Sequence, residues 1–391
     1  MGKVIVSRSR WYEYLFVIFI ILWSGGGFTY GLFPQWMFLA LPVLSIIVLK
    51  RGQGFNINEI YTILILAFIL FLQKLKYGGS IVTLFTPIAV VLSCAMFAKV
   101  LKNSFNEIFV TIIYYLACIT LTLWCISQVP FGLNFLRAIA TSLPQLGWEN
   151  IIDNTNVVDS MYIYSIPREI DGFFSNSGPF WEPGRFTIYL TLALSINIFY
   201  NEQPLFSKQN IILIITNITT FSTTGYVAMG LLLCGYVLLS NIKIQHKILM
   251  LMIMAIIIPY VSQLDFMSAK ILEQSQDIDS AWSRFGAMVY HWGQILESPI
   301  IGYGPFLMLA EDDLMVSPNG LTDLIRYYGI PFSIFLYVLL FKSTQLYVGI
   351  RDKKKNILVF IVILVLCFSQ TIMVSPFFYL LYFFALNNSH K

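Results

Sequence analysis

Apolar runs of bilayer-crossing length recur along the whole of this 391-residue chain, and that recurrence decides what it can fold into. Crossing the hydrocarbon core of a bilayer takes roughly 20 consecutive apolar residues. The chain is 58% hydrophobic and only 11% charged, whereas a soluble domain carries about 25% charge. The reading is an all-α integral membrane protein, a single polytopic membrane domain over 1–391 with no soluble domain appended.

The runs fall at 13–31, 34–50, 59–74, 81–100, 108–128, 185–201, 210–222, 226–240, 248–261, 326–347, 357–374 and 376–388. They predict about twelve transmembrane helices. The first run has no small-residue cleavage site after it, so it reads as a retained span rather than a signal peptide. The stretch 210–241 is too long for one span and short for two. A turn at Ser222-Thr223-Thr224-Gly225 makes it a hairpin whose two ends share one side with Lys208, Lys243 and Lys247, as the positive-inside rule prefers.

Most of the 24 lysines and arginines then map to one face, including Arg8, Arg10, Lys50, Arg51, Lys99, Lys102, Lys342 and Lys353 to Lys355. That face and both termini are expected in the cytoplasm, the chain being multi-pass. Most of the acidic residues fall opposite, with two long external connections at about 129–184 and 262–325. Connections of that length are usually functional or disordered, and these contain aromatics and amphipathic stretches rather than low-complexity sequence. They are where a water-facing site could be built.

The five cysteines lie in apolar runs, and His246, His291 and His390 are far apart, so neither a disulfide framework nor a metal site is predicted. No phosphate-binding loop, dinucleotide fingerprint or zinc-protease motif occurs. No cofactor and no nucleic-acid partner is expected.

In the second connection, Trp282, Phe285, Val289, Trp292 and Leu296 recur at helical spacing, with Ser280, Arg284, His291 and Gln294 on the other face. One reading is an interfacial helix whose apolar face rests on lipid or on the bundle, with Arg284 and His291 merely solvated. The other makes those two side chains part of a site.

Taken together, Gly172-Phe173-Phe174, Phe180-Trp181-Glu182-Pro183-Gly184-Arg185-Phe186, the Ser-Thr-Thr-Gly turn, Ser283-Arg284-Phe285-Gly286, Pro299-Ile300-Ile301-Gly302-Tyr303-Gly304, Ser317-Pro318-Asn319-Gly320 and Tyr328-Gly329 form an ordered set. That order resembles the Wzy-type O-antigen polymerases and related surface-polysaccharide polymerases over about residues 165–335. The resemblance implies a fold like the GT-C-type polymerases and ligases, with two large periplasmic loops forming the active face. It implies polymerisation of undecaprenyl-pyrophosphate-linked repeat units, the growing chain passing to a new lipid-linked unit with release of undecaprenyl pyrophosphate. A chain-length regulator and a flippase in the same membrane are the candidate protein partners. The O-antigen ligases share the pattern but place a histidine before the asparagine, where this chain has Pro318. Ligase and lipid-linked glycan flippase stay open as alternatives.

The residue chemistry suits such a transfer. A departing pyrophosphate gathers negative charge, which fixed guanidinium groups stabilise through paired planar hydrogen bonds. Arg168, Arg185, Arg284 and Arg326 all fall in or beside the external connections and are the anion-binding candidates, Arg284 with a catalytic role. Pairing with neighbouring acids is their alternative use. Glu182 is the first candidate base, with Asp171 and Asp323 behind it, or else Glu182 is the N-cap of a helix starting at Pro183. His291 is a further catalytic candidate. Tyr303 and Asn319 are candidates for glycan contact, or simply parts of turns.

Overall fold

The computed structural model of the protein describes residues 10–26, 33–143, 157–167, 174–240, 243–245, 247–248, 252, 284–305, 319–347 and 352–387. The described residues are mostly helical, with 13 helices and almost no strand. In chain order they are α1 (Trp11–Trp23), α2 (Phe33–Lys50), α3 (Ile57–Tyr77), α4 (Ile81–Leu101), α5 (Phe105–Ser127), α6 (Pro130–Ser142), α7 (Pro183–Phe199), α8 (Lys208–Thr219), α9 (Thr223–Leu239), α10 (Arg284–Glu297), α11 (Gly320–Tyr347), α12 (Lys353–Phe368) and α13 (Pro376–Asn387). Among the described residues, α3, α4, α5 and α11 are long and apolar enough to cross a membrane. Each predicted run except 248–261, which lies almost wholly outside the described residues, coincides with a helix.

Two predicted runs stop early. In the run 13–31 helix α1 ends at Trp23, where Ser24 Oγ turns back on Ile20 O at 2.7 Å and Gly25 adopts a φ of 140°; residues 27–31 lie outside the described residues. In the run 357–374 the helix ends at Phe368: Ser369 Oγ bonds back to Leu366 O at 3.3 Å, and Gln370 and Thr371 O go into tertiary contacts. The hairpin reading of 210–241 agrees with the break between α8 and α9, where Ser222 Oγ accepts from Gly225 N at 3.2 Å and caps α9. The connection at about 129–184 holds more structure than the sequence suggested. It carries α6 and a small antiparallel hairpin, β1 (Val157–Ser160) with β2 (Ser165–Pro167), a minor departure from an all-helical chain.

A helix that is buried all round belongs at the centre of a bundle, and α7 and α13 are of this kind. Helix α13 packs on α4 and α11, while α7 lies among α5, α8, α9 and α12. Aromatic rings fill the seam: Phe180 stacks on Tyr189 at 4.7 Å, and Tyr189 meets Phe377 at 4.9 Å. Where α7 is polar it is answered from α8, with Asn217 Nδ2 donating to Thr191 Oγ1 at 2.9 Å and Asn197 Nδ2 to Asn210 Oδ1 at 2.8 Å. Such bonds tie helices together in a medium where lipid offers no substitute.

The two ends of the bundle differ in chemistry. At one end Lys99 pairs with Glu59 at 2.7 Å and Arg51 with Glu13 at 3.1 Å, while Lys102 Nζ donates to Asn387 O at 2.9 Å. The opposite end gathers the C-terminus of α1, the N-termini of α7, α9 and α11, helix α10, and the turn between α12 and α13. Glu182, Arg185, Arg284 and Asn319 all sit there.

Candidate functional site

Glu182 occupies the N-cap position of α7 but makes no side-chain cap bond. Its Oε1 instead accepts from Gln370 Nε2 at 2.8 Å. The capping role that the sequence allowed for this carboxylate is therefore not how it is used. Glu182 keeps partial exposure and lies near enough to Arg284 for its charge to favour the guanidinium's charged form, against burial, which pulls Arg284 down from the usual arginine range.

Arg284 opens the described part of α10 and reaches the first turn of α9, donating from Nη1 to Thr224 Oγ1 at 3.0 Å and to Thr223 Oγ1 at 3.5 Å. Its own carbonyl accepts from Asn319 Nδ2 at 3.2 Å. Asn319 Oδ1 in turn accepts from Leu321 N at 3.2 Å and Thr322 N at 3.3 Å, which makes this residue the cap of α11 and the strap to α10. The first turns of α7 and α9 touch as well: a Cβ on Gly225 would stand 2.6 Å from Thr187 Cγ2. Several helix N-termini therefore converge around one guanidinium and one carboxylate, and backbone N–H groups with their dipoles favour an anion at such a point.

Helix α10 faces opposite to the solvated-stripe alternative. His291 is 1% exposed, and Gly286, Ala287 and Ile295 are buried beside it. Val289 at 60% and Trp292 at 52% exposure look away from the bundle, together with Phe285 and Leu296. Polar groups on the inner face find partners there, whereas an outward apolar face is the stable choice beside lipid.

His291 Nδ1 shares a hydrogen bond of 2.8 Å with Thr322 Oγ1, and burial, then the charge of Arg326, pushes its pKa down to about 3. A base that weak takes little part in proton abstraction near neutral pH, so the structure places His291 as a neutral tie between α10 and α11 and not beside Glu182. Arg326, 4% exposed, donates from Nη2 to Asp323 Oδ1 at 2.5 Å, the acid-pairing use that the sequence left open. Arg185 is buried too: Nη1 donates to Ser24 O at 3.2 Å, Nη2 to Thr371 O at 3.1 Å, and the guanidinium lies 3.8 Å from the Trp181 ring centre. It ties α1, α7 and the turn before α13 together. Arg168 and Asp171 lie outside the described residues.

The Pro299–Gly304 segment is a wedge against α11. Helix α11 breaks at Gly329, with φ 74° and ψ 168°. Gln73 Nε2 donates to Tyr327 O at 2.8 Å and to Ile301 O at 2.5 Å, Tyr303 N to Arg326 O at 2.8 Å, and Ile330 N to Pro299 O at 2.7 Å. Gly302, at φ 68°, lies so close that a Cβ would stand 2.6 Å from Arg326 O. Tyr303 stacks on Tyr77 at 4.9 Å and donates to Glu297 Oε2 at 2.5 Å. Tyr303 and Asn319 thus both have structural uses that account for them without a ligand.

Among the described residues, then, the sequence candidates divide. Glu182 and Arg284 come together at the converging helix ends, while Arg185, His291, Tyr303, Asn319 and Arg326 brace the elements around them. Gln370, which holds Glu182, was not singled out from the sequence, and Thr224, which holds Arg284, was read there only as part of a turn. No known protein family, curated protein or solved structure matches this chain.

Proposed function

We propose that the chain is a membrane glycosyltransferase that polymerises lipid-pyrophosphate-linked oligosaccharide units at the outer face of the inner membrane. The observation that carries this reading is the placing of Arg284, bonded to the first turn of α9, within electrostatic reach of Glu182 at the start of α7, beside a helix whose apolar face looks outward. An isoprenoid chain in the adjoining lipid would leave its pyrophosphate at this depth. Arg284 and the helix dipoles then stabilise the charge that grows on the phosphate as its bond to the anomeric carbon breaks. A hydroxyl at the non-reducing end of a new lipid-linked unit forms the new glycosidic bond and gives its proton to Glu182. The lipid pyrophosphate leaves with the bonding electrons. Arg168 stays in the proposal on its sequence position alone.

The break in α11 lends weight to the transport alternative, because transporters place their sites on interrupted helices. Here the backbone groups freed at the break are taken up by Gln73, Pro299 and Tyr303. A filled break offers no coordination to a passing ion or substrate, and the polymerase reading is preferred. A ligase would differ only in its acceptor.

Purified protein in vesicles, supplied with lipid-linked repeat units and no nucleotide, is expected to yield a ladder of products longer than one unit together with free lipid pyrophosphate. Unchanged single units that move across the vesicle membrane would instead support transport. Products formed only when a lipid A core acceptor is added would support the ligase.

A further inference from the structure

The turn between α12 and α13 brings a buried amide to the proposed base. Gln370 is 2% exposed, and its Nε2 donates to Glu182 Oε1 at 2.8 Å. The space it occupies is kept by glycine on two sides. A Cβ on Gly184, in the first turn of α7, would stand 2.5 Å from Gln370 Nε2, and one on Gly320, at the start of α11, would run into Gln370 O.

The backbone of this turn is fixed independently. Ile372 N donates to Gln370 O at 2.9 Å, Arg185 Nη2 holds Thr371 O at 3.1 Å, and Phe377 N donates to Ser24 Oγ at 2.8 Å. Gln370 thus projects from a braced turn, and its side chain ends on one oxygen of one carboxylate.

We propose that Gln370 is a positioning residue for Glu182, engaging Oε1 so that Oε2 is left to receive the acceptor's proton; this rests on the polymerase reading. An amide N–H donor favours the ionised carboxylate. Arg284 on α10 bears a charge that acts on Glu182, and Gln370 adds direction without adding charge. An acid at position 370 would work only while protonated, since its ionised form would set two negative charges against each other.

Three variants test this in the full-length protein in lipid. Gln370→Leu is expected to lower kcat on the order of tenfold with KM unchanged, a part of the 10²–10⁴-fold that a positioned general acid or base contributes. Gln370→Glu is expected to approach wild-type kcat at acid pH and to lose it as pH rises, because the introduced carboxyl can donate only when protonated. Equal activity of Gln370→Leu and wild type, or a Gln370→Glu rate–pH profile that merely parallels the wild type, would overturn the positioning role.

Infrared difference spectra separate this claim from the polymerase reading. The carboxylate band that disappears in Glu182→Gln is expected to shift in Gln370→Leu, whether or not the wild type makes polymer. An unmoved band overturns the positioning role even if polymer forms. A wild type that makes no polymer but shows the shift overturns the polymerase reading and leaves the Gln370–Glu182 contact standing. Thermal unfolding of each variant identifies any loss due to misfolding, and a Gln370→Leu protein that fails to fold is replaced by Gln370→Met for the same readouts.

Discussion

If the chain is the proposed polymerase, Arg284→Ala is expected to stop the formation of long glycan chains while protein level stays normal and single lipid-linked units persist. The expected loss is about 10²–10³-fold in rate, the scale seen when one preorganised donor to a developing anion is removed. The fold is expected to survive: among the bonds given up are those to the Thr223 and Thr224 hydroxyls, which satisfy no backbone group. A net hydrogen-bond contribution is about 1 kcal/mol. Arg284→Lys should recover little, since an ammonium cannot offer two parallel N–H groups to a phosphate. Chain-length profiles on gels, read beside immunoblots of the protein, check both variants. Undiminished long chains in Arg284→Ala would remove this residue from the pyrophosphate role.

The second large effect is on stability. Asp323→Ala leaves the Arg326 guanidinium buried without its carboxylate, and breaking a buried pair from one side costs about 3–5 kcal/mol. Asp323 Oδ2 has no hydrogen-bond partner, so the native pair is itself incompletely satisfied. For that reason the double variant Asp323→Leu with Arg326→Met should regain much of what either single change loses. Thermal unfolding midpoints in detergent measure the cycle. Two single variants that melt with the wild type would show that this pair within α11 contributes nothing to stability.

The helices were legible in the sequence because bilayer-length apolar runs have few alternative structures, and α3, α4 and α5 fall within a few residues of the predicted bounds. Run ends were less legible. Hydropathy carried the first run past Ser24 and the eleventh past Ser369, where one or two polar residues decide the outcome through distant contacts that local sequence does not contain. Periodicity found α10 but not which face turns inward. That choice depends on whether lipid or protein lies outside, and on Thr322 and Arg326 being available within.

The candidate site was legible in part. Arg284 and Glu182 stood out as charges in an apolar chain, and the structure brings them into one electrostatic neighbourhood. Arg185, Arg326 and His291 stood out for the same reason and proved to be buried ties, because sequence does not separate a charge needed for packing from one kept for a ligand. Gln370 went unremarked although Ser369-Gln370-Thr371 interrupts an apolar run, which was the available signal.

The proposed site puts a lipid pyrophosphate between Arg284 and the first turns of α7, α9 and α11. A density map of the protein with a bound lipid-pyrophosphate-linked repeat unit tests it most directly. The prediction is phosphate oxygens within hydrogen-bonding distance of the Arg284 guanidinium, with the isoprenoid running out beside α10 and an acceptor hydroxyl within reach of Glu182. A pyrophosphate bound at the opposite end, near Lys99 and Arg51, or with no contact to Arg284, would contradict it.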